Sequence, residues 1–425
     1  MKTIKIYILY FISILIILLS IYFKDNIYKK KPKKNKKRIT NKYKKLYLEY
    51  NLPIIKSNNI STKIFYYEKL IKKYCTKKDL EFKIKPLISI VIPLYNNKKE
   101  YILRSLLSIE AQTLKNIEII YIDDFSTNNS TDLLKILKII DKRISLIKND
   151  RNRGILYSKS LGVKISRSKY VIVSDQDDIF LSKKLFNTIY KKMEKYNLDI
   201  LQYKRLTLNN NKILFVSDKF YPNYDTLILQ PHLGKTINFL NNSLSFTFTL
   251  WDKIIKKQIY LKALKFLGKD LYNSKIIQRE DHIVTFALYK VANKYMRINI
   301  YGYLYIKHKN QATKNMKKQK NSVVYDEFTF LDFLYNNTKE TKEEKTVFFN
   351  EFLKILKLNI CINVKENKIK LLVQKICKLS LKDNFIKGKK KISKYCNKFK
   401  KKNQIKRKIK RKKKGLKIKK KKQNK

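Results

Sequence analysis

The sequence predicts an α/β protein in which helices flank a mostly parallel β-sheet. Short apolar runs rich in β-branched residues alternate with helical patterns between residues 87 and about 200. These runs are too apolar for a sheet with one solvent-exposed face, so helices are expected to cover both faces. Several of the runs end in carboxylates, at the edge where open α/β sheets bind ligands.

The elements follow in a regular order. LISIVIPLY (87–95), IEIIYID, ISLIKN and YVIVSD predict strands. KEYILRSLLSIEAQ predicts a helix, because Ile102, Leu103, Leu106 and Leu107 share one face. TDLLKILKII predicts a second helix capped by Ser130 or Thr131, and further helices are expected over residues 155–166 and after Ser182.

Residues 6–23, IYILYFISILIILLSIYF, form an uncharged run near the lower limit for crossing a bilayer. Aromatic residues stand at its ends, as at membrane interfaces, and no small-residue cleavage site is visible. We expect a single membrane anchor, with a buried core helix as the alternative. Lys-rich residues after the run favour a cytoplasmic catalytic domain, whereas anchor, stem and C-terminal domain are arranged as in type II proteins of the ER and Golgi lumen. We favour the lumen if the cell is eukaryotic.

The other segments are assigned by composition. Residues 24–85 are polar and basic and are interpreted as a stem, and 86–310 as the main domain, divided near residue 200. Residues 311–386 are predicted to be helical. Residues 387–425 hold 23 Lys or Arg and no acid, which predicts a disordered tail.

The formal net charge of +66 would normally favour a nucleic acid or an anionic membrane as partner. Lys, Ile, Asn and Tyr are abundant in every segment, however, which indicates a biased coding composition, and no specific nucleic acid is expected. The four cysteines and three histidines show no zinc spacing. Any metal is therefore expected to be held by oxygen.

Two carboxylate clusters carry the chemistry: Asp123 with Asp124, and Asp175 with Asp177 and Asp178. Each follows a predicted strand, so both are expected in one crevice. Neither GxGxxG nor GxxxxGK[ST] occurs, so a bound phosphate would need a bridging ion. Closely spaced aspartates suit Mg²⁺ or Mn²⁺. The alternative is that these residues are helix caps or loop carboxylates.

Four blocks resemble the family 2 glycosyltransferases, in the same order: PLISIVIPLYNN, SIEAQTLKNIEIIYIDDFSTNNSTD, NDRNRGILYSKSLGVKIS and YVIVSDQDD. LWDKIIKK is similar to a W-x-K segment of bacterial-type members, and QREDHIVTF to the acidic motif that carries the base. The resemblance implies a GT-A fold, which is Rossmann-like, and a nucleotide-sugar donor.

The resemblance also implies roles at the donor site. Asp124 would bind the nucleotide base, with Pro93 and Tyr95 lining the same pocket. Asp177 would hold the ion against the diphosphate, with Asp178 as a further metal ligand and Asp175 at the substrate. Phe125 stands where the family usually has glycine, a departure that bears on the nucleotide pocket.

At the acceptor side the resemblance makes Asp281 the catalytic base and places Glu280 beside it at the substrate. Trp251 would stack on a sugar, with core packing as the alternative. Lys253 is a candidate phosphate contact, His282 adjoins the base, and His308 lies where related enzymes have a loop that closes over the diphosphate.

Together, these observations and the resemblance predict a membrane-anchored, metal-dependent, inverting glycosyltransferase. The donor would be a UDP-sugar, and the acceptor a hydroxyl of a glycan, lipid or protein. One divalent ion would stabilise the leaving diphosphate and one carboxylate would take the hydroxyl proton. The alternative is an inactive scaffold of the same fold, tethered to the membrane, whose Lys-rich ends bind polyanions.

Overall fold

The structure is a computed structural model that describes residues 33–54, 56–81, 85–215, 225–229, 247–276 and 279–308, with isolated positions from 326 to 397. The chain divides into two compact units, Met1–Asn51 and Leu52–Lys425. In the first unit the structure describes helix α1 (Lys33–Tyr50), which has no acidic residue in its first turn.

The predicted anchor, residues 6–23, lies outside the described residues. Within the residues that are described, no helix is both long and apolar enough to cross a bilayer.

The second unit begins inside the predicted stem. Helix α2 (Ile60–Ile71) starts where Asn59 accepts a hydrogen bond from the Thr62 backbone N–H, and a 3₁₀ turn (Lys77–Leu80) follows. Tyr67, Leu70 and Ile71 of α2 are buried. The second half of the predicted stem, from Leu52 onward, lies in the same compact unit as the sheet.

The first half of the sheet confirms the predicted alternation. Its elements are β1 (Ile88–Leu94), α3 (Lys99–Glu110), β2 (Ile117–Asp123), α4 (Ser130–Ile140), β3 (Ile144–Lys148), α5 (Ile155–Ile165) and β4 (Tyr170–Val173). The strand order is β3-β2-β1-β4 and every pairing is parallel. All residues of β1 and β2 are buried, as expected for strands covered on both faces.

The second half is mixed, which corrects the prediction of a mostly parallel sheet. Its elements are β5 (Ile179–Phe180), α6 (Leu185–Tyr196), β6 (Ile200–Asn209), β7 (Lys212–Phe215), β8 (Thr226–Leu229), β9 (Lys253–Lys256), α7 (Lys257–Leu267), α8 (Lys269–Tyr272), α9 (Glu280–Val291) and β10 (Lys294–Lys307). Strand β9 runs antiparallel between β4 and β6, and β10 pairs with β6 in parallel. The apolar pattern predicted that these strands would be buried, but it does not encode their direction.

One predicted helix cap is wrong. Helix α4 has Asn129 at its N-cap, without a side-chain capping bond, and Ser130 is already helical. Asn128 Oδ1 instead accepts from the Ser130 N–H.

The core that supports the site lies between the sheet and helices α5, α7 and α9. Gly162 of α5 lies directly against Val91 of β1, where an added Cβ would clash. Of the predicted C-terminal helical region, Phe330, Phe333 and Leu334 join this core. Most of that region and the whole Lys-rich tail except Asn397 lie outside the described residues.

Candidate active site

The predicted carboxylates meet at the carboxyl edge of the parallel strands. Asp124 follows β2, and Asp175, Asp177 and Asp178 lie between β4 and β5. Glu280 and Asp281 reach the same place from the first turn of α9, where acids suit the positive end of the helix dipole.

A buried lysine joins the carboxylates. Lys159 Nζ lies 2.8 Å from Asp281 Oδ1, 3.2 Å from Glu280 Oε1 and 3.7 Å from Asp175 Oδ1. The Lys159 side chain is 2% exposed. One ammonium therefore connects the proposed base with the acidic segment after β4.

The charges in this cluster depend on one another. Burial by itself lowers the pKa of Lys159, but Asp281, Asp175 and Glu280 together hold that pKa well above the ordinary value, so the ammonium is charged. Burial raises the pKa of Asp175 to about 6 and that of Glu280 to about 7, although Lys159 opposes both shifts. The site has more carboxylates than cations.

Lys159 lies in the block NDRNRGILYSKSLGVKIS, where the family resemblance implied no role for it. Lys159 lies on the buried face of α5 with Leu156 and Val163, three residues and four residues away. A lysine at a buried helix position indicates a nearby acidic partner, because ammonium groups are almost never fully buried without one. In a chain with so many lysines, this single position did not stand out.

Asp281 is held by two donors. Lys159 donates to Oδ1, and the Leu250 N–H lies 3.4 Å from Oδ2. The preceding Arg279 has φ 67, in the left-handed region that side chains other than glycine and asparagine rarely adopt. Backbone strain of this kind concentrates at functional sites.

His282, the neighbour of the proposed base, is packed as a neutral ring. It stacks on Phe248 at 4.4 Å, and Arg279 Nη1 lies 2.9 Å from its Nε2. Burial, with the nearby Arg279 charge, lowers the pKa of His282 to about 3. A neutral, stacked imidazole explains this residue as packing.

An imidazole lies at the acidic segment, beside the carboxylates that the sequence predicts as metal ligands. His308 Nε2 is 2.6 Å from Asp177 Oδ2, across 131 residues of sequence. The Tyr101 ring lies against the His308 ring, tilted by 44° with 4.6 Å between the ring centres, and Arg104 donates to the Asp177 carbonyl at 2.8 Å. The histidines are far apart in the sequence, but His308 lies close to Asp177 in the folded chain.

Asp178 is anchored differently from Asp177. Its Oδ1 accepts from the Ile306 N–H at 2.7 Å, and Oδ2 is buried without a hydrogen-bond partner within the described residues. Burial, and the charges of Asp177 and Asp175, raise the pKa of Asp178. Among the residues that the structure describes, no three His, Cys, Asp or Glu side chains form a closed metal site.

The proposed nucleotide pocket is organised by Asp124. Its carboxylate accepts from Asn149 Nδ2 and from the N–H groups of Arg153 and Gly154, all within 2.8 Å. These bonds fix the loop between β3 and α5. Because a carboxylate offers about four acceptor positions, Asp124 keeps capacity for a ligand.

The turns beside this pocket carry the other predicted residues. Pro93 lies within β1 and Tyr95, just after it, is 51% exposed. Asn96 Oδ1 accepts from the N–H groups of Thr127 and Asn128, which ties the two turns together. Phe125 has φ 66, which explains why a glycine is easier to place at this position.

Trp251 packs within the protein. Its ring stacks on Tyr303 at 4.7 Å and on Tyr305 at 5.6 Å, and it is 5% exposed. Lys253 is fully buried and bonds Asp252 Oδ1 and Thr247 Oγ1. The surroundings of Trp251 are therefore those of the core-packing alternative. The Lys253 ammonium is bound by residues of its own loop.

Comparisons with known proteins agree with this arrangement. The family model "Glycosyl transferase family 2" matches residues 89–257. An uncharacterized glycosyltransferase of Methanocaldococcus jannaschii is 30% identical over 243 residues, 56% of this chain and 76% of that protein. The chain belongs to the family 2 glycosyltransferases.

Other relatives of this glycosyltransferase are bacterial. GlyG of Streptococcus pneumoniae is 26% identical over 222 residues, 52% of this chain and 70% of that glycosyltransferase. Escherichia coli WfgD is 30% identical over 182 residues, 40% of this chain and 70% of WfgD. WfgD is a UDP-Glc:α-D-GlcNAc-diphosphoundecaprenol β-1,3-glucosyltransferase.

Among solved structures, Staphylococcus aureus TarS (1–349) in complex with UDP-GlcNAc is similar, with a TM-score of 0.54 and 16% identity. The alignment covers 75% of this chain and 92% of that one. At this identity the likeness supports the GT-A-like fold alone: a mixed sheet with flanking helices.

Proposed function

We propose that this glycosyltransferase moves a hexose or N-acetylhexosamine from a UDP-sugar to a hydroxyl group of a glycan, lipid or protein, with inversion at the anomeric carbon. The observation that carries the proposal is the contact of three carboxylates with one ammonium. Asp175 comes from the acidic segment after β4, whereas Glu280 and Asp281 come from α9, and Lys159 holds all of them.

Asp281 is the base in this proposal. Lys159 donates to Oδ1 and so holds the carboxylate in place, and a base within hydrogen-bond reach of the acceptor hydroxyl can take its proton. The Asp281 side chain is 17% exposed, so an acceptor hydroxyl can reach it. One base and direct displacement of the diphosphate give inversion.

The residues present fit a divalent ion that is shared with a diphosphate. Mg²⁺ and Mn²⁺ are commonly held by one or two carboxylates, with substrate phosphates completing the shell. Asp177 would hold the ion, and His308 is placed to contribute beside it. Asp178, with its unsatisfied buried oxygen, adds negative charge. When bound, the ion would stabilise the charge of the leaving diphosphate.

Support for a UDP-sugar comes from a relative. WfgD, 30% identical to this chain over 182 residues, uses UDP-Glc. Asp124 and the turn at Pro93 and Tyr95 form the proposed base pocket in this chain.

The test is a screen of nucleotide sugars for hydrolysis and transfer with Mn²⁺ or Mg²⁺. We expect one UDP-sugar to stabilise the protein against heat in a metal-dependent way, because ligand binding raises the apparent stability. Asp177→Ala should remove activity and keep the fold, with Asp270→Ala on the exposed face of α8 as a matched control. Full turnover in excess EDTA would refute metal dependence.

A polyanion-binding scaffold is disfavoured by family membership and by the intact carboxylates. If the Lys-rich ends were the working part, heparin binding would fall steeply with salt and no nucleotide sugar would be consumed.

We further propose that residues 6–23 anchor the enzyme, with its catalytic domain in the lumen in a type II arrangement if the cell is eukaryotic. The hydrophobic run supports the anchor. The protein should then resist alkaline extraction from membranes, and its domain should resist protease in sealed microsomes. Digestion without detergent would instead indicate the cytoplasmic face.

A further inference from the structure

Arg205 of β6 has no assigned role in the proposed reaction. Its guanidinium lies 4.8 Å from the centre of the Trp251 ring. Its Nε is buried and has no hydrogen-bond partner, and within the residues that the structure describes Arg205 forms no ion pair. Arg205 is half-buried, and a buried donor atom without an acceptor is unfavourable, so this position is suited to an acceptor supplied from outside the protein.

Arg205 lies on the side of the base. Trp251 follows Leu250, whose N–H approaches Asp281 Oδ2 at 3.4 Å. The pKa of Lys253 responds to both groups. Burial lowers this pKa, the charge of Arg205 lowers it further, and the charge of Asp281 raises it. Groups beside the base meet the acceptor, because the base takes its proton from the acceptor hydroxyl.

The contact with Trp251 leaves the guanidinium able to bind an oxyanion. Its central carbon lies 4.8 Å from the ring centre, and the group carries five N–H donors in a planar fork. Such a planar fork matches two oxygens of a phosphate or a carboxylate. A cation here also offsets the repulsion that an anionic acceptor would meet from Asp175, Glu280 and Asp281.

We propose that Arg205, resting on Trp251, binds an oxyanion of the acceptor, a phosphate or carboxylate close to the hydroxyl that receives the sugar. The inference rests on the proposed transferase function and names the chemical class of its acceptor. The enzyme should therefore prefer anionic acceptors to neutral ones.

Trp251 is the single tryptophan of the chain, so its fluorescence reports on this position. With the donor site filled by saturating UDP and Mn²⁺, the full-length protein is titrated with N-acetylglucosamine 1-phosphate, glucuronate or neutral glucose. We expect at least one anionic sugar to change the fluorescence saturably at concentrations where glucose does not. Arg205→Met should weaken that binding about tenfold to a hundredfold, the size of a charged hydrogen bond.

Matched variants make the result decisive. Arg205→Lys keeps the charge without the fork and should fall between the wild type and Arg205→Met. Lys212→Met removes one exposed charge on β7 and should bind like the wild type. UDP affinity, measured separately, reports on folding and on the donor site.

Three outcomes would overturn the proposal: equal or undetectable binding of anionic and neutral sugars, unchanged binding in Arg205→Met, or a parallel loss of UDP affinity that makes Arg205 a donor contact. A phosphate-only or glucuronate-only response supports it and identifies the oxyanion. This titration needs no turnover, so failure of the transferase function appears separately, as absence of nucleotide-sugar consumption.

Discussion

Two buried charge clusters in the same unit of this protein have opposite characters. In the first, Arg143 lies between Glu110 and Asp141, and these three side chains are at most 1% exposed. In the second, Lys159 lies among Asp175, Glu280 and Asp281, whose side chains are 11% to 23% exposed. We call them the closed cluster and the open cluster.

The closed cluster is held by direct hydrogen bonds, although Glu110 Oε1 is buried without a partner within the described residues. Arg143 donates to both oxygens of Asp141, through Nε at 3.0 Å and Nη2 at 2.9 Å, and also to Glu110. Lys115 adds a second positive charge near Cys75, which donates to Glu110 at 2.9 Å. Burial raises the pKa of Glu110 to about 8, although Arg143 opposes the shift. The planar, paired hydrogen bonds of Arg143 suit a structural role.

The open cluster is left with an excess of negative charge and with access to solvent. A lysine ammonium is a point charge, so it can hold three carboxylates together without fixing each in a plane. The comparison teaches that buried charge alone does not mark an active site. An excess of carboxylates over cations and access to solvent distinguish the functional cluster from the structural one.

The largest effect is expected for the open cluster, at its base. Asp281→Asn should lower kcat about a hundredfold to ten-thousandfold, the usual contribution of a general base, because an amide does not take the proton. Donor affinity should stay within a few-fold, measured by UDP titration of the same sample. Asp270→Asn, on the exposed surface of α8, is the control. Equal losses of donor binding and kcat would make Asp281 a ligand or a structural residue.

The closed cluster should respond mainly in stability. Arg143→Met leaves Glu110 and Asp141 buried without their cation, so the free energy of unfolding should fall by about 3–5 kcal/mol. Urea denaturation measures this, with Arg151→Met at an exposed position for comparison. The protein that remains folded should bind UDP normally. A change of less than 1 kcal/mol, as at exposed pairs, would remove the distinction between the clusters.

Lys159→Met tests the open cluster in the same way. Here the carboxylates reach water, so the free energy of unfolding should fall by only about 1–3 kcal/mol. Transfer should fall about tenfold to a hundredfold, because Asp281 loses its charged donor. Lys159→Arg should recover part of kcat. A normal kcat in Lys159→Met would show that Lys159 contributes only to packing.

The smallest expected effect is a pH dependence. Burial raises the pKa of Glu280 from its ordinary value of 4.5 to about 7. Between these values the folded protein holds a proton that the unfolded chain has lost, so the free energy of unfolding should fall as the pH rises through this window. The change is on the order of 1–3 kcal/mol. Glu280→Gln should flatten this part of the curve, and an unchanged slope would contradict the assignment.

The sequence was sufficient for the first half of the sheet. The predicted strand IEIIYID coincides with β2, Ile117–Asp123, and the helix predicted over 155–166 with α5, Ile155–Ile165. Parallel strands buried on both faces and joined by helices leave few alternatives. The family resemblance was confirmed as well.

The sequence was insufficient where contacts are distant. Asp177 and His308 are 131 residues apart, and Lys159 and Asp281 are 122 apart, so spacing carried no signal for either pair. Strand direction in the second half depends on connections that the apolar pattern does not encode. The roles assigned to Asp124, Asp177 and Asp281 remain predictions, now with defined surroundings.

The residues that adopt a left-handed backbone divide into two groups. The chain has only 7 glycines in 425 residues. In the described part of the chain, six residues other than glycine have positive φ, and four of them are asparagine, the next most tolerant residue: Asn96, Asn197, Asn210 and Asn211. The other two, Phe125 and Arg279, adjoin Asp124 and Glu280. The two least tolerant residues in this conformation therefore stand beside the candidate site, where strained backbone geometry tends to concentrate.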